Sequence, residues 1–389
     1  MPRRLAARMQ QIRPFQVMDL LARARSLEAS GRSIVHMEIG EPDFPTPPAI
    51  IEAGRRALAA GYTHYTPAAG LSALRKAIAA YYASRYALEV SPERIVITPG
   101  ASGALQLAIG VMVDPGDEVL LADPGYPCNR NFVHLFEGRP RAVDVGPETA
   151  YQLTADALRR HWSGASRIAM VASPSNPTGT VIPAQELREI VEAVRRLDGR
   201  LIVDEIYHGL TYDAEVDTAL RFGDDVFVIN SFSKYFGMTG WRLGWLVAPQ
   251  EYVEPVDRLA QNIFLAASTP AQHAAMAAFE PETLSLLDER CEAFRHRRDF
   301  LLPALRGLGF EIPVTPQGAF YLYAGCGRMT DDSYQWSREL LEHAGVAVTP
   351  GIDFGVNRAA TQLRFAYTTS LEQLEEGVRR IERFLQSRR

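Results

Sequence analysis

The sequence predicts an α/β protein built on a largely parallel sheet, with a smaller α+β part towards its C-terminal end. Three short apolar runs carry that expectation, because each passes at once into polar or turn residues. Arg167-Ile168-Ala169-Met170-Val171-Ala172 leads into Ser173-Pro174-Ser175-Asn176-Pro177-Thr178-Gly179, Leu201-Ile202-Val203 into Asp204-Glu205-Ile206-Tyr207, and Val226-Phe227-Val228-Ile229 into Asn230 and Ser231. Uninterrupted apolar strands are the pattern of a sheet buried on both faces, and helical periodicity fills the gaps between them. Ligands of open α/β sheets bind beyond the carboxyl ends of the strands, so the three polar tails are expected to converge on one crevice. The alternative is that they are ordinary loops.

Before these strands, the run Arg94-Ile95-Val96-Ile97 leads through Thr98-Pro99-Gly100-Ala101-Ser102-Gly103 into an apolar helix, and Ser72 to Ala83 also reads as a helix. Ala184 to Leu197 is a helix between the first two of the three strands, and Gln272 to Phe279 and Leu284 to Leu305 are long helices leading out of the sheet. Beyond Phe310 the pattern changes, with strands at Ala319–Tyr323 and Leu363–Tyr367 around a helix near Ser333–His343. Domain boundaries are expected at 1–45 for an N-terminal arm joined to the smaller domain, 46–285 for the large domain, and 286–389 for the small C-terminal domain. Met1 to Met18, with Arg3, Arg4, Arg8 and Arg13 and no acid, reads as a helical arm.

Composition narrows the function. At 389 residues there is material for a large core, and a net charge of −5 gives no general attraction to nucleic acid. No apolar stretch approaches the length that spans a bilayer. Cys128, Cys291 and Cys326 are odd in number and lack C-x-x-C spacing, which predicts neither a disulfide framework nor a zinc site and favours a reducing cytoplasm. The histidines show no metal-ligand spacing, so no metal is expected, and His208 reads as structural.

Chemistry enters with the lysines. Lys76 and Lys234 are the two in a chain where Lys and Arg total 41. Lys76 falls on the helix around residues 72–83 and reads as a solvated surface residue. Lys234 follows Ser231-Phe232-Ser233 and precedes Tyr235-Phe236-Gly237-Met238-Thr239-Gly240-Trp241-Arg242. An amine can lose its proton and attack a carbonyl; a guanidinium cannot, so arginine does not replace a nucleophilic lysine. Asp204 ends an apolar strand, where an ionised carboxylate is costly without a cation against it. A protonated pyridine nitrogen would serve. Gly100, Ala101 and Ser102 open a helix whose first N–H groups suit an anion; no lysine follows the glycines, which excludes a P-loop. Ser231, Ser233 and Arg242 add donors fitting a phosphate monoester. No G-x-G-x-x-G follows a strand, which argues against a dinucleotide-binding enzyme.

Together these residues resemble the pyridoxal-phosphate-dependent aminotransferases of class I/II, which share the aspartate-aminotransferase fold (fold type I). Gly40-Glu41-Pro42-Asp43-Phe44, Asp123-Pro124-Gly125-Tyr126-Pro127, Ser175-Asn176-Pro177-Thr178-Gly179-Thr180, Asp204-Glu205-Ile206-Tyr207 and Ser231 to Gly244 occur in the family's order along nearly the whole chain. The resemblance implies a mostly parallel seven-stranded sheet between helices, pyridoxal 5′-phosphate as cofactor, and transfer of an amino group from an L-amino acid to a 2-oxo acid by a ping-pong route through pyridoxamine phosphate. It implies that Lys234 forms the Schiff base and shuttles the substrate proton. Asp204 would pair with the pyridine nitrogen, Asn176 and Tyr207 would hydrogen-bond the ring oxygen, and Tyr126 would stack on the ring. Gly100, Ala101, Ser102, Ser231, Ser233 and Arg242 would hold the phosphate, and Tyr65 would reach it across a homodimer interface. Arg364, with the Gly40 backbone nearby, would grip the substrate carboxylate. Ser102 stands where some aspartate-preferring relatives carry lysine, which puts a dicarboxylate preference in doubt. Other chemistry on the same scaffold, such as a carbon–sulfur β-lyase or a cyclopropane-forming synthase, stays open. A non-catalytic cofactor-sensing regulator is disfavoured, since such proteins carry a DNA-binding domain ahead of this part.

Overall fold

Seven strands form the central sheet in the order β2-β8-β7-β6-β5-β3-β4. They are β2 (Ile95–Thr98), β3 (Glu118–Asp123), β4 (Arg139–Asp144), β5 (Ser166–Ala172), β6 (Arg200–Asp204), β7 (Val226–Ser231) and β8 (Gly244–Val247). All neighbours run parallel except β8, which is antiparallel to both β2 and β7. The computed structural model describes residues 5–388.

Side-chain alternation explains why these strands read as continuous apolar runs. Ile97, Leu120, Ala169, Val171, Leu201, Val203, Val228 and Trp245 belong to one buried cluster, while Val96, Val119, Leu121, Ile168, Met170, Ile202, Phe227 and Leu246 belong to another. Successive residues of a strand point to opposite faces, so both faces of this sheet are covered and both parities must be apolar. Helices α4 (Gly100–Gly110), α5 (Pro127–Leu135) and α8 (Val253–Ile263) contribute to the second cluster. Helices α3 (Ser72–Tyr86), α6 (Ala155–His161), α7 (Ala184–Arg196), α9 (Thr269–Ala275) and α10 (Pro281–Gly307) contribute to the first, as does Ile50 of α2 (Pro48–Ala59). Lys76 is exposed on α3, as its helical spacing predicts.

A second sheet has the order β1-β10-β11-β9, made of β1 (Val35–Met37), β9 (Tyr321–Gly325), β10 (Val346–Pro350) and β11 (Gln362–Ala366). Helices α1 (Gln16–Ala29), α11 (Ser333–Glu339) and α12 (Leu371–Gln386) pack around it. Strand β1 is parallel to β10, with Val35 opposite Val346, so a segment near the start of the chain completes a sheet otherwise built from its end.

The arm departs from expectation. Over Met1 to Met18 there is no continuous helix: Ala7–Gln10 forms a single 3-10 turn and α1 starts at Gln16, while Met1 to Arg4 lie outside the described residues. Pro14 explains the break, because it donates no N–H and pushes Arg13 out of the helical region. The stretch after Gln272 also ends early, with α9 stopping at Ala275 and a 3-10 turn, Met276–Phe279, leading to α10. Among the described residues, no helix is long and apolar enough to cross a membrane.

Candidate active site

The carboxyl ends of β5, β6 and β7 do open onto one crevice, a cavity of about 820 Å³ lined by Asn176, Asp204, Tyr207, Ser231, Ser233 and Lys234. Gly40, Ala101, Ser102, Tyr126, Arg242 and Arg364 complete the predicted set around it. Gly100 heads α4 directly behind Ala101. Tyr65 does not line this cavity and is 84% exposed.

Lys234 Nζ donates to the Gly40 carbonyl at 2.7 Å. That carbonyl is fixed from behind. Asp43, three residues on, accepts both Arg297 guanidinium nitrogens at 2.8 and 2.9 Å, and Arg290 and Arg297 lie over the Phe44 ring at 5.2 and 5.0 Å. Burial pushes the Lys234 amine down to about 8; Glu41 opposes this, while Arg364 and Arg242 add to it. A lysine so placed carries a useful fraction of free amine near neutrality, which an exposed lysine does not.

Asp204 is 5% exposed at the end of β6, and its carboxylate accepts a hydrogen bond from the Ile206 N–H at 3.1 Å and from no other group of the described residues. Burial pushes its carboxyl up to about 6, against the pull of the Ile206 N–H and of Lys234. This is a carboxylate lacking a cationic contact, aimed at the cavity. Glu205 beside it points away, accepting from Ala219 N–H at 2.7 Å and the Thr218 hydroxyl at 3.0 Å. His208, one nitrogen 2.8 Å from the Tyr86 hydroxyl, is pushed down to about 3 by burial and stays neutral. His208 is not among the residues that line the crevice.

At the other end of the crevice, α4 presents its N-terminus. Gly100 has φ +69°, and a Cβ there would stand 2.6 Å from Arg242 Nη2. Only glycine lets the guanidinium close on the first turn of the helix. Ser231 Oγ donates to Ser233 Oγ at 2.9 Å and accepts from Ser233 N–H at 3.0 Å, setting both hydroxyls at the same rim. The result is a cup of N–H, O–H and guanidinium donors that suits a phosphate dianion. Gly100→Ala is expected to raise the Kd for the phosphate-bearing cofactor about tenfold, from backbone strain of about 1–2 kcal/mol; fluorescence titration with the cofactor measures it, and an unchanged Kd contradicts the cup.

Arg364, 6% exposed on β11, donates to Asn176 Oδ1 at 2.9 Å, to the Glu38 carbonyl at 2.6 Å and to Thr349 Oγ1 at 3.2 Å. Its Nε is buried without a partner among the described residues. The guanidinium is held over the Tyr321 ring, 4.2 Å from its centroid. Tyr321 escaped the sequence reading, yet its hydroxyl lies 2.9 Å from the Tyr207 hydroxyl. Its signal was weak: Ala319-Phe320-Tyr321 looks like any apolar strand. Phe15, Met18, Asp353 and Phe354 line the crevice as well and were also missed, because nothing local in the sequence links the arm to the loop after β10.

A buried acid in want of a cation, a glycine-backed anion cup and a lysine with a depressed pKa fit one small molecule with a basic ring, an aldehyde and a phosphate. Comparison with known proteins agrees. A family model described as "Aminotransferase class I and II" matches residues 32–381. The (5-formylfuran-3-yl)methyl phosphate transaminase of Methanocaldococcus jannaschii is 37% identical over 384 residues, covering 98% of this chain and 99% of its own. The valine–pyruvate aminotransferase of Mycobacterium tuberculosis is 39% identical over 376 residues, covering 96% and 97%. Among solved structures, an aminotransferase from Mycobacterium tuberculosis superposes with a TM-score of 0.95 at 38% identity, covering 99% of this chain and all (100%) of that one. The Thermus thermophilus aspartate aminotransferase with maleate gives 0.92 at 34% identity, covering 98% and 99%. The chain belongs to the class I and II aminotransferases. It has the family's fold type I and its activity as a pyridoxal-phosphate-dependent aminotransferase.

Proposed function

We propose that the crevice runs a ping-pong transfer between an L-amino acid and a 2-oxo acid, with Lys234 as its nucleophile and proton carrier. The observation that carries this reading is that Lys234, its amine pushed down to about 8, and Asp204, a buried carboxylate with no ion-pair partner among the described residues, line one cavity. Pyridoxal 5′-phosphate, when bound, supplies an electron sink at the substrate Cα and stores the amino group between the two half-reactions. Lys234 and Asp204 would hold its two ends of reactivity. Gly100, Ala101, Ser102, Ser231, Ser233 and Arg242 would hold the phosphate, Tyr126 would lie against the ring, and Asn176 and Tyr207 would donate to its oxygen.

Arg364 receives the substrate carboxylate in a two-pronged contact, while Gly40 and Asn176 border that position. Fixing the carboxylate fixes the direction of the Cα–H bond. Lys234 Nζ, released as a free amine, takes that proton and holds it for return. Arg364→Lys keeps the charge and loses the fork; KM for the amino donor is expected to rise on the order of a hundredfold, with a much smaller change in kcat. Steady-state kinetics check it, and an unchanged KM contradicts the assignment.

The reading extends to assembly and setting. A homodimer in which Tyr65 reaches the phosphate cup of a second copy is supported by the 84% exposure of that side chain and its absence from the lining of its own cavity. The division at 1–45, 46–285 and 286–389 is supported by the pairing of β1 with β10 and by the start of α10 at Pro281. The three free cysteines support a reducing cytoplasm. The test is spectroscopic: single amino acids added to the holoenzyme should convert the cofactor band, and 2-oxo acids should restore it. Release of pyruvate and ammonia instead would make the protein a lyase.

A further inference from the structure

The first turn of α1 is capped from a distance. Phe15 occupies the N-cap position and offers no side-chain acceptor, so the N–H groups of Gln16 and Val17 depend on another element. Asp353, 5% exposed in the turn after β10, accepts both, at 2.8 and 3.0 Å. A carboxylate on these two donors also meets the positive end of the helix. Asp353 is itself anchored. Arg130 Nη2 donates to its carbonyl at 2.6 Å, the Gly125 N–H donates to the Phe354 carbonyl at 2.9 Å, and the Asp123 carboxylate accepts from the Val356 N–H at 2.9 Å. The cap is therefore a post in the turn after β10, tied to Asp123, Gly125 and Arg130 beside the central sheet, and the first turn of the arm hangs from it.

The arm forms a wall of the substrate cavity. Phe15, Val17 and Met18 line it, together with Ile39, Leu105 and Phe354. Its lining cations are Lys234, Arg242 and Arg364, each already assigned above, whereas the carboxyl-bearing Glu38, Glu41 and Asp353 also border it. Among the described residues lining this cavity, a second carboxylate on a substrate would meet acids and no further cation; Arg13 and Arg130 line the adjoining cavity on the other side of Phe15 and Asp353. An apolar side chain would meet apolar walls.

We propose that Asp353 is a positioning residue that sets side-chain selectivity, by holding Phe15, Val17 and Met18 over the cavity so that the site takes amino acids with apolar side chains. This rests on the reading of the cavity as an aminotransferase site. The body of α1 does not need the cap, since Leu20, Ala24 and Leu27 are packed against Ile34, Leu341 and Ala347. Loss of Asp353 loosens the first turn and leaves the rest seated.

The experiment uses the holoenzyme with leucine, phenylalanine, alanine and aspartate as donors, in the parent and in Asp353→Ala. The parent is expected to use leucine or phenylalanine with a kcat/KM at least tenfold above aspartate. In Asp353→Ala the leucine-to-alanine ratio of kcat/KM should fall about tenfold or more. Amide exchange at Gln16, Val17 and Met18 should speed up while that of Leu20 to Leu27 holds. Should Asp353→Ala fail to fold, Phe15→Ala, which removes no buried charge, is expected to lower the same ratio. A preference for aspartate, an unchanged ratio, or unchanged exchange at residues 16–18 overturns the proposal. Absence of turnover with every donor would count against the aminotransferase reading instead, and the exchange comparison would still judge the cap.

Discussion

Lys234→Ala is expected to lower turnover with any amino donor by about 10⁴-fold or more while leaving measurable cofactor binding. The size follows from losing two functions at once, the amine that attacks the aldehyde and the base that moves the substrate proton, the second alone contributing about 10²–10⁴. No neighbouring group can substitute. Arg242 and Arg364 border the same cavity, but a guanidinium does not serve as a nucleophilic amine, and Lys76, the other lysine, is exposed on α3. The phosphate cup at Gly100, Ser231, Ser233 and Arg242 is untouched by the substitution, so cofactor should still travel with the protein in gel filtration. Near-normal turnover in this variant would refute the assignment. Lys234→Arg, which keeps the charge and discards the nucleophile, should be as inactive as the alanine variant.

Asp204→Asn carries the second large effect. The amide can still accept from the Ile206 N–H, so shape and packing are kept, but the charge that holds the ring nitrogen protonated is gone. Breaking a buried charge pair costs about 3–5 kcal/mol, which as a barrier is roughly 10²–10⁴ in kcat. The parent carboxyl, pushed up to about 6 by burial in the free chain, is stabilised as an anion when a cation sits against it. Cofactor binding should therefore weaken more steeply as pH falls through about 6 in the parent than in Asp204→Asn, where protonation of the phosphate alone contributes. Equal kcat values, or the same acid step in both proteins, would contradict the pairing.

These residues were legible because their chemistry and their place at strand ends coincide. Asp204 and Ser231 are the last residues of β6 and β7, and a polar residue that terminates an apolar run announces itself. Lys234 stood out because arginine fills almost every other cationic position. Other features gave no local signal. The antiparallel insertion of β8 between β2 and β7 depends on pairing between segments far apart in the chain. Tyr321 reads as core until its hydroxyl is seen against Tyr207. The placement of the arm is written in no local motif, because Asp353, more than 300 residues away, holds its first N–H groups. Pro14 interrupts the helix expected over the arm.

The central claim is that Lys234 is the residue joined to pyridoxal 5′-phosphate in the resting enzyme. Borohydride reduction of the holoenzyme followed by proteolysis and peptide mapping tests it directly. A phosphopyridoxyl group on the peptide containing Ser231 to Arg242, at Lys234, is the result expected. Label at Lys76 or elsewhere, or none at all in a cofactor-loaded protein, would contradict the account.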